Sequence, residues 1–503
     1  MVKDLLTKVP FTRIEAAYNQ GVVTNNLKEA FEPMDEPSYL VLTQADFLRE
    51  YEPSGHKINS PLWYKNLIKY DETKKQFFEQ QVFRVAIPFQ KLIVAQHLVH
   101  LCGNDIHHEL TNGKVDKSQD EYFRLFQKGW LDKQMEIAFY DLAKSSKVTG
   151  DGAVVLFLLD GKVRYKTLSY LNGDRLYPKL NSLTGDLEMF SRQYYDYDEE
   201  GKAVTSWVEV WDSEYMYRYK QSVRSKASKM VNLIKGAFGI EGYELVSQER
   251  HNCPEVPVVY FRAKEGACWS AVQDLIDKYE IAVSQLCQNN CAYAFPIMLL
   301  KGDNIEVQGD IYGAVKAVSV NSDGDAGFLN RPDASSSFDL QLQILLKNIF
   351  MGSFTVLPPE VKSGDLPGVA IKLIYSPSVD IATLDCKEYY SAICKLSRVF
   401  KFFYGVEIGM TSQFETMNIL SWAEPYVHQN TAELISNLVQ SVGVGILSKQ
   451  TASENTGYGK NDEWDRLILE AKEEERANRL FDNVNKADEI INEDKEVIED
   501  EAD

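Results

Sequence analysis

The sequence predicts an α+β protein. Three features favour this class: strand-like segments separated by glycine turns, a strand that leads directly into a long amphipathic helix, and further amphipathic helices in the C-terminal half. With 503 residues, of which 44% are hydrophobic, the chain is long enough for two or more packed cores. Its 12% aromatic content argues against general disorder.

Strands dominate the middle of the N-terminal half. Residues Ser145–Pro178 are predicted to form a helix end, a Gly-Asp-Gly turn and a β-meander. The β structure continues through Tyr194–Asp198 and, after a further turn, through a strand at Trp207–Trp211.

Glycines mark the turns of this β region. Gly150, Gly152 and Gly201 are predicted to occupy tight turns that need a positive φ. The glycine-rich stretch Thr149–Gly152 lacks both common phosphate-loop frames, so we expect no nucleotide site there.

The segment Pro254–Gly302 joins a strand to a long helix and returns as a second strand. The strand is β-rich, and Pro254 and Pro257 confine it to an edge or a strand start; its members are Val256, Val258, Val259, Tyr260 and Phe261. The helix that follows has roughly 20 residues, a length of about 30 Å, and one apolar face. That face comprises Trp269, Val272, Leu275, Ile276, Tyr279, Ala282, Val283 and Leu286, and the other face carries Asp274, Asp277, Lys278, Glu280 and Gln285.

The following segments alternate between β structure and helix. Ile305–Arg331 is rich in glycine and aspartate and is predicted to form a small β excursion. A second amphipathic helix follows, with apolar positions Phe338, Leu342, Leu345 and Ile349. A long helix at Asp385–Tyr404 has apolar positions that include Tyr389, Ile393, Leu396, Phe400 and Phe403.

The strand and helix after Pro254 resemble those of portal proteins of tailed double-stranded DNA bacteriophages, in particular the siphophage-type portal family. That family has a short apolar strand before a helix of the form S-x-x-x-x-L-I-D-x-Y-(D/E)-x-x-x-S-x-x-x-N. The matching residues are Ser270, Leu275, Ile276, Asp277, Tyr279, Glu280, Ser284 and Asn289. An ordinary amphipathic helix of an unrelated α/β protein is the alternative interpretation of this segment by itself.

Other segments resemble the family in the same order along the chain. Arg84–Ile106 is similar to its helix that ends in a Leu-x-Gly turn, here at Leu101 and Gly103, although Pro88 or Phe89 stands where the family often has Asn. Downstream matches are Ser363, Gly364 and a predicted strand at Val369–Tyr375, with Asp365–Gly368 inserted; a helix, turn and Ser-Lys-x-Thr cap within Ile435–Thr451; and a Glu-rich helix at Glu454–Arg479.

The resemblance implies a portal fold that assembles as a twelvefold ring with a central tunnel. It assigns a wing to residues 1–265 and 354–430, the second part containing a tunnel loop and the long helix. It assigns two stem helices to 266–293 and 332–353, a clip to 294–331, a crown to 431–480, and an acidic, disordered tail to 481–503.

The same resemblance implies a function without catalysis. A portal ring at one capsid vertex passes double-stranded DNA inward during packaging and outward at ejection. Its implied partners are further copies of the chain, the terminase large subunit, major capsid and scaffold proteins, and head-completion or adaptor proteins. The protein would be assembled in the host cytoplasm and end in the virion, with no cofactor and no membrane.

Three lysines are the candidates for contact with DNA in the tunnel. Lys347 belongs to the second stem helix, and Lys362 and Lys372 flank the implied tunnel loop. A basic run, Arg218, Lys220, Arg224, Lys226, Lys229 and Lys235, is the other candidate surface, and a solvated insertion on an outer wing is the alternative interpretation.

Net charge limits the kind of DNA binding that is expected. The chain carries a formal charge of −20, of which −7 lies in Lys486–Asp503. A sequence-specific DNA binder usually presents a basic face. A tunnel through which DNA slides should hold phosphates weakly, so an acidic wall with few cations is compatible with a portal.

Catalytic and metal-binding patterns are weak. His97, His100, Cys102, His107 and His108 cluster along the chain, but structural histidines near a helix end are favoured over a zinc site. Cys287 and Cys291 lack a second pair and are interpreted as small packing residues. Acidic pairs such as Asp323 with Asp325 fall in turns. No Walker or nucleophile-elbow motif is present, which separates the chain from the packaging ATPase.

Two alternatives to a portal stay open at this stage. One is a phage or cellular scaffold or adaptor protein without a DNA tunnel, and the other is an enzyme with a metal site at His97–His108. The seven cysteines are expected to be reduced thiols. No early signal sequence and no apolar run of membrane-spanning length is found, so we expect a soluble protein.

Overall fold

A computed structural model of the chain describes residues 43–71, 74–111, 117–222, 243–292, 298–301, 306–309, 315–319, 325–328, 335–357, 368–427, 431–454 and 466–476. Two compact units are present. The first comprises Met1–Pro359 with Ser376–Tyr426, and the second comprises Glu360–Tyr375 with Val427–Asp503. Helices and antiparallel strands largely occupy separate stretches of the chain, so the predicted α+β class is confirmed.

Helices of the first unit surround its larger core. In chain order they are α1 Gln44–Tyr51, α2 Phe89–Cys102, α3 Lys117–Asp132, α4 Met135–Thr149, α5 Gln273–Ala292 and α6 Ser335–Gly352. Helix α7, Gly368–Glu407, contains the predicted Asp385–Tyr404 helix, and the short α8, Thr411–Glu415, follows it. The apolar periodicity therefore located α5, α6 and the second half of α7 correctly.

Strands of the first unit form two main sheets. Antiparallel pairing orders the first as β11 Val258–Arg262, β4 Asp151–Leu159 and β5 Lys162–Leu168. The second has the order β10-β9-β8-β7-β6, with β6 Arg175–Leu180, β7 Leu187–Tyr197, β8 Ala203–Trp211, β9 Tyr215–Ser222 and β10 Glu244–Arg250. The predicted meander is thus divided between two sheets. The chain turns at Tyr170–Asn172, where Gly173 has φ +85°, and leaves the first sheet.

Smaller strand pairs complete the β structure. They are β1 Leu67–Asp71 with β2 Gln76–Gln80, β3 His107–Leu110 with β16 Ile419–Trp422, β12 Met298–Lys301 with β15 Asp325–Phe328, and β13 Glu306–Gly309 with β14 Val315–Ser319. The last two pairs are nested hairpins between α5 and α6, as the predicted β excursion requires. Of the acidic pair considered above, Asp325 starts β15 and Asp323 lies outside the described residues.

Strand β4 lies between two hydrophobic cores and contributes side chains to both. Its side chains alternate because successive residues of a strand face opposite sides of the sheet. Val154 and Leu156 join the larger core, whereas Ala153 and Val155 join the smaller one. The β11 strand lies at the edge of this sheet, where Pro254 and Pro257 had placed it, and the carbonyl of Pro257 accepts a hydrogen bond from Leu156 N.

Two sequence predictions in the first unit need correction or refinement. Gly150 and Gly201 have positive φ values of 87° and 73°, as predicted. Gly152 does not, because it lies inside β4; its absent side chain instead lets the strand approach α4, since a Cβ there would come within 2.8 Å of Ser145 Cβ.

Val369–Tyr375 is helical, so the predicted strand is wrong. These residues form the start of α7 rather than part of a sheet. Their apolar run is only seven residues long and is interrupted by Lys372, which is too short to distinguish the two structures. A strand needs a neighbouring strand for its backbone hydrogen bonds, whereas a helix supplies its own. Leu373 is 70% exposed, so it does not belong to a buried sheet face.

The second unit is helical in its described residues. It contains the first residues of α7, 368–375, together with α9 Thr431–Gly443, α10 Lys449–Glu454 and helical residues 466–476. Ser448 caps α10, because its Oγ accepts a hydrogen bond from Thr451 N at 3.0 Å. This confirms the predicted helix, turn and Ser-Lys-x-Thr cap. Of the predicted Glu454–Arg479 helix, residues 455–465 and 477–479 lie outside the described residues, as does the acidic tail.

Asp151 is a fully buried carboxyl group at the start of β4. Gln44 Nε2 donates to its Oδ1 at 2.5 Å and the Tyr260 hydroxyl donates to its Oδ2 at 3.3 Å. Neither partner is charged, and burial raises the pKa of Asp151 to about 7. The folded protein therefore holds a proton on Asp151 at pH values where the unfolded chain has lost it.

Replacement of Asp151 by Asn should stabilise the protein at alkaline pH. Because the folded pKa is raised, the contribution of Asp151 to stability falls as pH rises from about 4 to about 7 and stays low above that. We expect Asp151→Asn to raise the free energy of unfolding at pH 8 by a few kcal/mol, on the order of 1.4 kcal/mol per unit of pKa shift, with the gain vanishing near pH 4. Unfolding followed across pH 4–8 measures this.

Asp186→Asn is the matched control, because Asp186 is an exposed aspartate in the turn between β6 and β7. It should leave the difference from wild type independent of pH. Equal pH profiles for wild type and Asp151→Asn would contradict the burial argument.

Candidate functional site

Helix α5 precedes the nested hairpins along the chain and α6 follows them. The two helices pack against one another. The apolar residues assigned to the two stem helices are buried to different extents. Trp269, Val272, Ile276 and Ile349 are buried, and Leu275, Tyr279, Phe338, Leu342 and Leu345 are half-buried. The helices approach closely at Gly352, where a Cβ would meet Val272 Cγ1 at 2.8 Å.

Trp269 anchors the start of α5 in the core. Its ring stacks on Tyr51 with centroids 5.7 Å apart, and its Nε1 donates to Glu50 Oε2 at 3.1 Å. Burial raises the pKa of Glu50. A short 3₁₀ turn, Ser270–Val272, then leads into α5.

The opposite side of α5 carries a buried row of polar side chains. Gln273, Asp277, Glu280 and Ser284 are all at most 6% exposed. Their spacing of three and four residues places them on one stripe of the helix. Asp277 and Glu280 lie on the face of α5 that the sequence pattern assigned to polar residues, and both are buried there. We call Gln273, Asp277, Glu280, Ser284 and Gln288 the polar row.

The polar row binds the backbone of residues 83–87, which we call the strap. Phe83 N donates to Gln288 Oε1 at 3.2 Å, Val85 N to Ser284 Oγ at 3.0 Å, and Ile87 N to Glu280 Oε1 at 2.8 Å. Two residues of an extended chain span about 6.6 Å, and four helical residues span about 6 Å. This near-match lets alternate N–H groups of the strap meet every fourth side chain of α5.

The row also binds residues that precede the strap. His56 Nδ1 lies 2.6 Å from Glu280 Oε1, and both side chains are 1% exposed. Lys57 Nζ lies 2.7 Å from Asp277 Oδ2. At the first position of the row, Gln90 Nε2 donates to Gln273 Oε1 at 2.9 Å. The polar row therefore joins α5 to three separate parts of the N-terminal region.

The clustered histidines bind separate groups within the protein. His97 Nε2 donates to Ser353 O at 2.8 Å, and His100 Nδ1 donates to Tyr426 O at 2.7 Å. His108 Nδ1 lies 2.8 Å from Ser421 Oγ, and His107 stacks on Trp422. Among the described residues no group of three His, Cys, Asp or Glu side chains is arranged to hold a metal ion.

Burial sets the ionisation of two of these histidines. It lowers the pKa of His97 to about 3, helped by the nearby charge of Lys147, and that of His108 to about 4. Both are neutral at physiological pH, which suits their hydrogen bonds to uncharged partners.

The cysteines are all thiols. All seven lie in the described part of the chain, and none forms a disulfide. Cys287 is half-buried, whereas Cys291 is exposed, so the interpretation of Cys291 as a packing residue is wrong for this single chain.

The candidate tunnel lysines lie in different parts of the chain. Lys347 is exposed on α6, and Lys372 is exposed in the first turns of α7. Lys362 lies outside the described residues, as do four members of the basic run, Arg224, Lys226, Lys229 and Lys235. The other two members belong to β9 and make ion pairs, Arg218 with Glu209 at 3.0 Å and Lys220 with Glu244 at 3.9 Å.

Comparison with known families decides the identity. Residues 57–478 match the family described as phage portal protein, SPP1 Gp6-like. The chain belongs to this portal protein family. It is a portal protein of the capsid vertex, and the family is a structural one. The predicted resemblance to phage portal proteins is thereby confirmed.

Distant likenesses to solved structures accompany the family match. A chain in the neck of an empty GTA particle, computed with C6 symmetry, has 10% identity and a TM-score of 0.41, over 74% of this chain and 90% of that chain. A chain in the virion of the native gene transfer agent (GTA) particle has 10% identity and a TM-score of 0.40, over 84% and 96%. Curated proteins provide no match. Within the described residues, no helix has the length and apolar character needed to span a membrane.

The polar row explains residues of the portal-like motif that periodicity left unexplained. Asp277, Glu280 and Ser284 are three of its polar positions, and all three are buried against the N-terminal region. The sequence pattern alone did not predict this role, because helical spacing separates a polar face from an apolar one without showing which segment will cover the polar face. The available signal was the uncharged Gln273, Ser284 and Gln288, which share the stripe.

Ser284→Ala should release the middle of the strap in this portal protein. It leaves the half-buried N–H of Val85 without its acceptor, and because water can reach it in part, we expect a cost of about 1 kcal/mol. We expect faster hydrogen exchange in residues 82–88 and a lower free energy of unfolding. Hydrogen exchange read by mass spectrometry, with denaturant unfolding, measures both.

Gln285→Ala is the control, since Gln285 is the exposed neighbour on the same helix. It should change stability by less than about 0.5 kcal/mol. Identical exchange in the strap for the two variants would contradict the assigned hydrogen bond.

Proposed function

We propose that the chain forms a ring, expected to contain twelve subunits, through whose central tunnel double-stranded DNA is packaged and ejected. The main support is the portal family match, which extends over residues 57–478. A helix pair joined by nested hairpins, α5 and α6 with β12–β15, supplies a rigid element suited to lining such a tunnel.

The proposed division of labour follows the chain order. Helices α5 and α6 form the stem, and β12–β15 form the clip that docks the terminase large subunit and later the head-completion proteins. Residues 1–265 and 354–430 form the wing that meets capsid and scaffold proteins. Residues 431–480 form the crown.

Charge supports passage of DNA rather than tight binding. A chain with a net charge of −20 repels phosphates over much of its surface. Exposed lysines such as Lys347 and Lys372 would then provide a few weak contacts that guide the duplex. We propose these two, with Lys362, as tunnel residues.

The arrangement of the clustered histidines does not support the alternative function, an enzyme with a metal site. His97 and His100 donate to backbone carbonyls and His108 bonds to the Ser421 hydroxyl, so each of these three histidines already serves the fold through one ring nitrogen. Their hydrogen bonds tie α2 to Ser353 and to Tyr426.

Electron microscopy of the purified protein, combined with native mass measurement, tests the proposed ring. We expect closed rings of about twelve subunits with an axial channel of about 20 Å or more, wide enough for duplex DNA. Small closed oligomers that persist after co-expression with capsid and scaffold proteins would favour the adaptor alternative instead.

Lys347→Glu tests the tunnel assignment separately from assembly. A reversed charge on the tunnel wall should repel phosphate, so we expect DNA packaging to fall several-fold while ring formation is retained. DNA protected from nuclease in assembled particles is the measure. Lys202→Glu, an exposed lysine in the β7–β8 turn, is the matched control. Normal packaging by rings of the Lys347→Glu variant would contradict the assignment of Lys347 to the tunnel wall.

A further inference from the structure

The most exposed apolar surface of the described chain lies on the β1–β2 hairpin and its flanks. We call Leu62–Asp71 with Lys74–Phe83 the arm. Eight large apolar side chains of the arm are between 43% and 91% exposed, namely Leu62, Trp63, Leu67, Ile68, Tyr70, Phe77, Phe78 and Phe83. Scattered single apolar residues are normal on a surface, but a continuous group of this kind marks an interaction site.

Both faces of the hairpin carry these residues. Residues directly opposite one another share a face, so Ile68, Tyr70 and Phe77 lie on one face, where the rings of Tyr70 and Phe77 are 5.0 Å apart. Leu67 and Phe78 lie on the other face. A two-stranded hairpin is only marginally stable by itself in water, and this one exposes aromatic groups on both sides. We therefore expect another protein surface to bury the apolar side chains of this hairpin.

The base of the arm is held firmly. Arg84 Nη2 donates to Tyr64 O at 3.0 Å and to Asn66 Oδ1 at 2.7 Å, and Asn66 Nδ2 donates to Glu79 Oε1 at 3.0 Å. The chain on one side of the arm is bound to the polar row through Lys57, and on the other side through the strap. An arm fixed at its base loses little freedom when it docks, which lowers the entropic cost of binding.

We infer that the arm docks on a second copy of this chain, as the contact between neighbouring subunits of the ring. The inference rests on the proposed ring. Five aromatic side chains of roughly 200 Å² each, about half exposed, together with three aliphatic ones present on the order of 800 Å² of apolar surface. One partner in a stable interface buries about that area.

Charge favours another copy of the chain over nucleic acid. The arm holds four lysines and two acidic residues, a net charge of +2, whereas the whole chain carries −20. A weakly positive, aromatic arm is complementary to an acidic subunit surface. Two net charges are few for a phosphate-binding site, which usually neutralises several phosphates.

Ile68→Lys with Phe77→Lys tests the docking. The double variant places two charges on one face of the arm, and we expect at least a tenfold loss of rings at a protein concentration where wild type is fully assembled. Leu183→Lys is the matched control. Leu183 is 93% exposed in the turn between β6 and β7, far along the chain from the arm, and its replacement should leave rings intact. Native mass spectrometry and electron microscopy count the subunits.

Photocross-linking provides a second measurement that does not depend on the double variant folding. A photoreactive phenylalanine at Ile68 should give covalent chain-to-chain products in wild-type rings, and the same group at Leu183 should not. Rings that form normally in the double variant, with no chain-to-chain product from position 68, would overturn the inference while the proposed function stands.

Other outcomes are equally decisive. Products between position 68 and co-expressed capsid protein or DNA, without chain-to-chain products, would overturn the inference and assign the arm to that partner. Wild-type protein that forms no ring even with capsid and scaffold proteins would instead refute the proposed function, and the inference with it.

Discussion

The need to satisfy the backbone N–H groups of the strap governs the arrangement around α5. The strap forms no regular secondary structure, so its N–H groups have no carbonyl acceptors from a paired strand or a helical turn. Gln288, Ser284 and Glu280 accept those hydrogen bonds from within a helix. The hydrogen bonds of Val85 and Ile87 are half-buried and that of Phe83 is exposed, so the first two contribute most to holding the strap in one register.

That constraint connects the helix to the rest of the first unit. The stripe of α5 that accepts from the strap also binds His56 and Lys57, while the apolar side of α5 packs on α6 and the larger core. A helix engaged on both sides cannot rotate without breaking hydrogen bonds or exposing apolar surface. The arrangement therefore fixes the orientation of α5 relative to the rest of the first unit.

A second buried polar contact fixes α7 against α4. Lys147 Nζ lies 2.6 and 2.7 Å from the two carboxylate oxygens of Asp385 in the core, and the neighbouring Ser146 hydroxyl bonds to that of Tyr389. Burial raises the pKa of Asp385, against the opposing effect of Lys147. Loss of either charge would leave the other buried and unpaired, which is costly. The contact therefore specifies the position of α7 rather than adding much net stability.

The sequence by itself determined the elements whose signal is local. Apolar residues at helical spacing located α5, α6 and residues 385–404, and proline placed β11 at an edge, because these properties depend only on neighbours along the chain. Tertiary structure decided the rest. Asp277 and Glu280 are buried because residues 56–57 and 83–87, more than 190 positions away, cover them. Val369–Tyr375 is helical because it continues into α7, and the meander divides because strand pairing is non-local. A short pattern records which residues are apolar or polar, but it does not record which distant segment will lie against them.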